Sequence, residues 1–216
     1  MSLYSKLFQY VLRICAKYNI DESHGLSHAM NIFMYSNQIY EHEVIEHPFL
    51  KQQECVIYAS AILHDMCDKK YMDQDQGVAE IEDFLKNCCN GDSIDPPILD
   101  AESISAIKCI ITTLSYSHVK VHGFPSLGKY QHAYHIVREA DLFCAYDFDR
   151  CMIYHMNKVG VGDIQNAFND SVRLFETRVF LHHDHNLLVT DYSKCAYIHM
   201  HENSIARINH WRKMLL

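Results

Sequence analysis

The chain has 216 residues, 49% of them apolar and 12% aromatic, enough to bury a core of its own. Seven Gly and four Pro are too few for a turn-rich β-sandwich, and a formal net charge of −8 argues against duplex nucleic-acid binding by phosphate neutralisation. No run approaches the ~18 uninterrupted apolar residues of a membrane span, and Met1 to Lys6 holds no apolar signal core, so no membrane partner is expected.

Residues 3 to 18 place Leu3, Leu7, Tyr10, Val11, Ile14, Cys15 and Tyr18 at spacings of three and four, which predicts an amphipathic helix. Asn19 to Ser23 breaks it, and Ser27 is the expected N-cap of a second helix carrying Met30, Phe33, Met34 and Tyr40. Pro48 falls in the connection to a third helix over about 51 to 65, apolar nearly all round and therefore central and buried. A polar loop from Asp68 to Gly77 precedes a helix with Val78, Ile81, Phe84 and Leu85, which Asn90-Gly91-Asp92 and Pro96-Pro97 should end. Ala101, Ile104, Ile107, Ile110, Ile111 and Leu114 form one clear stripe. Residues 115 to 131 lack periodicity and are expected to be a long functional loop. One helix is then expected from about 132 to Lys158, followed by two more over roughly 163 to 182 and 190 to 214. The expected fold is all-α, a compact multi-helix bundle in a single domain over 1–216, its core at about 20–150 with the C-terminal helices packing on it.

The nine cysteines are scattered and odd in number, with no Cys-x-x-Cys pair; Cys88 and Cys89 are too close for an ordinary bridge. They read as free thiols in a reducing, cytoplasmic setting. Sixteen histidines point instead to metal chemistry. His64 and Asp65 end the third helix, and as neighbours on a helix they diverge by about 100°, so one ion could join them only with ligands from other helices. His28 opens the second helix. Asp141 sits in Ile136-Val137-Arg138-Glu139-Ala140-Asp141-Leu142, where a carboxylate is costly unless a cation or donor holds it. Two imidazoles and two carboxylates suit Mn²⁺, Fe²⁺, Co²⁺, Zn²⁺ or Mg²⁺.

In this order, His24-Gly25-Leu26-Ser27-His28, Ala61-Ile62-Leu63-His64-Asp65 and Ile136 to Asp141 resemble the three signature segments of the HD-domain metal-dependent phosphohydrolases. The resemblance spans about residues 20 to 150. It implies one divalent ion on His28, His64, Asp65 and Asp141, and hydrolysis of a phosphoester or phosphoanhydride, most readily of a nucleotide. Asp68 and Lys70 would be catalytic, Asp68 activating or orienting the attacking water. His24, Lys69, Lys129 and Arg138 would bind a small phosphorylated substrate, since a local patch and an ion can outweigh the global negative charge. Asn31 stands where the family often has Arg, and Ala140-Asp141-Leu142-Phe143-Cys144-Ala145 is nearer its 5′-nucleotidase branch.

Other histidines leave rival expectations. His118 and His122, or His132 and His135, could bring a second ion and make the protein a dinuclear-iron oxygenase; the plainer reading puts all four on a polar loop and a helix start. The HD pocket could also be a non-catalytic nucleotide-sensing module. His182-His183-Asp184-His185 is metal-like in composition but reads as a helix end, where protonated imidazoles favour the dipole. The aromatic and histidine content after residue 150 leaves room for self-association into a homo-oligomer. Cys67 and Cys144 have no partner arrangement that would make either a nucleophile.

Overall fold

A computed structural model describes residues 2–89, 99–159 and 163–215. Ten α-helices and no strand occur among them, so the chain is all-α as expected. They form two compact units, Met1–Ala140 and Asp141–Leu216.

The first unit is built around α3 (Glu54–Leu63), which packs against α1 (Leu3–Tyr18), α2 (Leu26–Glu46) and α5 (Ala101–Thr113). Every residue of α3 from Val56 to Leu63 is buried. This explains its lack of a polar face, and each large apolar side chain there contributes about 1.5–3 kcal/mol by leaving water. Ser2 caps α1 through its side chain, and Asn19 ends it in the left-handed region at φ 52°. The apolar stripe Leu7, Tyr10, Val11 and Ile14 is buried.

Helix α2 starts two residues earlier than expected and is capped by Gly25, not Ser27. A Cβ at Gly25 would stand 3.1 Å from the Asp21 carbonyl, so the tight entry from the preceding turn disfavours a side chain. The third helix also differs from expectation. Residues Pro48–Gln53 are a 3₁₀ turn, and α3 ends at Leu63, which leaves His64 and Asp65 in the turn that follows. Helix α4 (Gln74–Cys89) carries the expected stripe; its predicted stop at Asn90 to Pro97 lies outside the described residues.

The stretch 115 to 131 is more ordered than its missing periodicity suggested. Ser115 caps a short helix α6 (Tyr116–His122), and Gly128–Tyr130 forms a 3₁₀ turn. The single helix expected from 132 to 158 is two, α7 (Gln131–Cys144) and α8 (Phe148–Val159), separated by a turn at Ala145 and Tyr146. The division between the units falls within α7.

The second unit packs α8, α9 (Ile164–Thr177) and α10 (Asp191–Leu215) together. Phe148 meets Phe168 and Phe175 with centroids at 5.7 and 5.3 Å, the edge-on geometry that aromatic pairs favour. Asp149 ties α8 to α10 by accepting from the Arg207 Nε and from Trp211 Nε1 at 2.7 Å. No helix among the described residues is long and apolar enough to cross a membrane.

Candidate metal centre

Helix α2 delivers His28 and the end of α3 delivers His64 and Asp65, and the three converge in the first unit. His28 Nε2 and His64 Nε2 are 3.1 Å apart, and Asp65 Oδ2 lies 3.4 Å from the first and 3.2 Å from the second. Ligand atoms about 2.0–2.2 Å from one ion, at tetrahedral to octahedral angles, stand about 2.9–3.5 Å apart. The triangle fits that requirement on all three sides.

The tautomer of His64 agrees. Its Nδ1 is 2.9 Å from the Ala61 carbonyl, which can only accept, so Nδ1 carries the proton and Nε2 offers its lone pair. A neutral imidazole in this state faces a second ring nitrogen across 3.1 Å, a contact that needs either a proton or a cation between the two. Both imidazoles are buried, and the Asp65 side chain is 16% exposed. Burial acts to raise the Asp65 carboxyl, but His64, His28 and His24 outweigh it and hold the group well below the usual carboxylate range. An anionic carboxylate and two inward-facing imidazoles are the donor set of a borderline divalent ion.

A second set of polar groups adjoins the triangle. The His24 ring lies 6.2 Å from that of His28. Asp21 accepts from Ser23 Oγ and from Tyr71 Oη, the latter at 2.9 Å. With those hydroxyl protons committed, His24 Nδ1–H donates to the Ser23 and Tyr71 oxygens at 2.8 and 3.1 Å. His24 Nε2 is thereby left as an acceptor, and Lys70 Nζ stands 3.4 Å from it. Lys70 Nζ also pairs with Asp68 Oδ2 at 3.1 Å, and the Lys70 backbone N–H donates to Asp68 Oδ1 at 2.9 Å. Three residues expected near the ion, His24, Asp68 and Lys70, are thus brought together.

The other expected residues have the following surroundings. Lys69 is exposed and lies near His118, whose imidazole is lowered by burial first and then by His122 and Lys69. Lys129, expected at the phosphate, pairs with Glu102 at 2.7 Å and lines a separate cavity with His132. Arg138, also expected at the phosphate, is buried; it donates to Glu139 at 2.9 Å and its guanidinium lies 4.7 Å from the Phe124 ring centre. Asp141 lies on α7 at the start of the second unit, half-buried between Ala140 and Leu142.

His118 and His122 are adjacent on α6 with ring centroids 4.7 Å apart, but no third ligand joins them in a group among the described residues. In the 182–185 cluster, His182 is buried and His183 stacks on Tyr197 at 4.4 Å, and none of the cluster belongs to such a group. Cys67 is an inert thiol, pushed up to about 12 by burial and by Asp65 and Asp68.

The sequence reading missed Asp21, Ser23 and Tyr71, which orient His24, and also Glu43 and His47. The Asp21-Glu22-Ser23 turn carried a local signal, because Asp21 Oδ1 accepts the Ser23 N–H at 2.9 Å in an Asx turn. Tyr71 carried none, since its contact spans fifty residues. Glu43 and His47 have the i,i+4 spacing of neighbours on a helix face.

Comparison with family models, curated proteins and solved structures gives no match.

Proposed function

We propose that the protein is a metal-dependent phosphohydrolase acting on a small phosphorylated substrate, most readily a nucleotide. The observation that carries this reading is the 3.1–3.4 Å triangle of His28, His64 and Asp65 beside the Asp68–Lys70–His24 network. The resemblance in the sequence names Asp141 as a fourth ligand, and substitution of Asp141 tests that assignment separately.

A bound divalent ion supplies Lewis acidity, lowering the pKa of water toward neutrality and polarising a phosphoryl oxygen. The chain's own residues supply positioning and proton handling. Asp68 is held by two contacts from Lys70, which fix the carboxylate as an acceptor for a proton from attacking water. Lys70 shares its ammonium between Asp68 and His24, and the exposed Lys69 stands next to it in sequence; both offer positive charge for phosphate oxygens. His24 is clamped through Nδ1, so its Nε2 keeps one direction toward Lys70. His64 is aimed by the Ala61 carbonyl.

The test is a screen of protein loaded with Mn²⁺, Fe²⁺, Co²⁺, Zn²⁺ or Mg²⁺ against nucleoside mono-, di- and triphosphates, with phosphate and pyrophosphate detected separately. Phosphate from monophosphates identifies a nucleotidase, and pyrophosphate from triphosphates a pyrophosphohydrolase. Nucleotide binding without release of either product supports the sensing module instead. Two irons per chain with O₂ consumption supports the oxygenase.

A further inference from the structure

The far end of α2 holds a second convergence of ligand-type side chains. Glu43 lies fifteen residues beyond His28 on the same helix, about 22 Å away at 1.5 Å per residue. Glu43 and His47 are one helical turn apart at the end of α2, and the His47 N–H donates to the Glu43 carbonyl at 2.9 Å, which fixes their register. His132, in the first turn of α7, meets them there: its Nε2 is 2.9 Å from Glu43 Oε2, and its ring centroid lies 4.5 Å from that of His47. One ligand atom from each of the three residues falls within 4.8 Å of the other two.

The chemistry at Glu43 calls for a cation. Its side chain is 4% exposed and sits in the last turn of α2, where the helix dipole presents its negative end. A carboxylate there is doubly disfavoured, by burial and by the dipole, unless positive charge faces it. Two imidazoles face it: His132 at Oε2, and His42 Nδ1 at 3.4 Å from Oε1. A protonated His132 would compensate the charge as an ion pair. A divalent ion would do so with both histidines neutral, and it alone also uses the second imidazole of the group, His47.

The surroundings suit a hydrated ion. His132 lines a cavity of about 420 Å³ together with Phe49, Gln53, Lys129 and His135. Gln53 Oε1 and His135 Nδ1 are buried and have no hydrogen-bond partner among the described residues, so the walls carry spare polar capacity. We infer that Glu43, His47 and His132 form a second metal site for a borderline divalent ion such as Zn²⁺ or Co²⁺, separate from the His28–His64–Asp65 triangle.

The experiment is metal content after equilibration of the full chain with Co²⁺ and removal of excess, read by elemental analysis and by the visible absorption of bound Co²⁺. His47 is partly exposed, so His47→Ala leaves the core intact, and Glu43→Gln keeps the side-chain shape. Each variant is expected to bind one equivalent less Co²⁺ than its parent and to lose part of the visible spectrum, in the wild-type and in the Asp65→Ala background alike. The loss does not depend on what Asp65→Ala itself does, so failure of the first site and failure of this one are read apart. Unchanged stoichiometry and spectrum in a His47→Ala protein that melts like its parent would overturn the inference and leave an ion pair. If Glu43→Gln fails to fold, His47→Ala and His132→Ala give the same reading.

Discussion

Gly77→Ala should weaken the protein at the segment that presents Asp65 and Asp68. Gly77 lies in the first turn of α4, where Ala in place of Gly would ordinarily favour the helix by about 1 kcal/mol. The surroundings reverse the sign. A Cβ at this position would stand 2.8 Å from Met72 Sδ, 2.9 Å from Cys67 Cβ and 3.0 Å from Cys67 Cα. Met72 can swing away, but Cys67 is buried and its Cα is backbone, so the turn from His64 to Asp68 must move. Overpacking of this kind costs about 1–3 kcal/mol, which cancels the helix gain and leaves a net destabilisation of up to about 2 kcal/mol. Urea unfolding should show the midpoint falling by up to about 1 M at a typical slope of about 2 kcal/mol/M. Co²⁺ affinity should fall severalfold, because Asp65 is two residues from the displaced Cys67. A variant stabilised by the full helix gain of about 1 kcal/mol, with unchanged metal affinity, would refute the close packing and its link to the site.

Asp68→Asn should lower turnover by about 10²–10⁴-fold while metal content stays the same, since the proposed mechanism gives Asp68 a proton to handle and it is not in the ligand triangle; loss of metal would make it a ligand instead. His135 makes a prediction about pH. Burial, with Arg138 and His132, pushes its imidazole down to about 3, whereas in the unfolded chain it takes up a proton near 6.5. Unfolding therefore binds a proton between these values, and the stability that depends on a neutral His135 is present above pH 6.5 and falls as pH falls. The loss should reach about 2 kcal/mol by pH 5 and be absent in His135→Gln; denaturant titrations with equal pH slopes in both proteins would exclude His135 as the cause.

Much of this was legible because periodicity and burial agree. The stripes of α1 and α5 and the all-apolar α3 face a core, so spacing alone located them. Element ends were less legible. Gly25, not Ser27, is the cap, and its close approach to the Asp21 carbonyl is a contact that hydrophobic spacing does not encode. Likewise, α6 is short and half solvated, so its 7 residues could not establish a period. Within the site, His28, His64 and Asp65 were readable as ligand types on helix ends. Lys129 and Arg138 were chosen for charge, and charge does not reveal that one pairs with Glu102 and the other is buried beside Phe124.

The central claim is that the His28–His64–Asp65 triangle holds an ion used to hydrolyse a phosphorylated substrate. Phosphate and pyrophosphate release from nucleotides by metal-loaded wild type and Asp65→Ala, measured side by side, tests it most directly. Metal-dependent release by wild type, abolished in a folded Asp65→Ala protein, is the predicted result. Full activity in that variant would contradict the account.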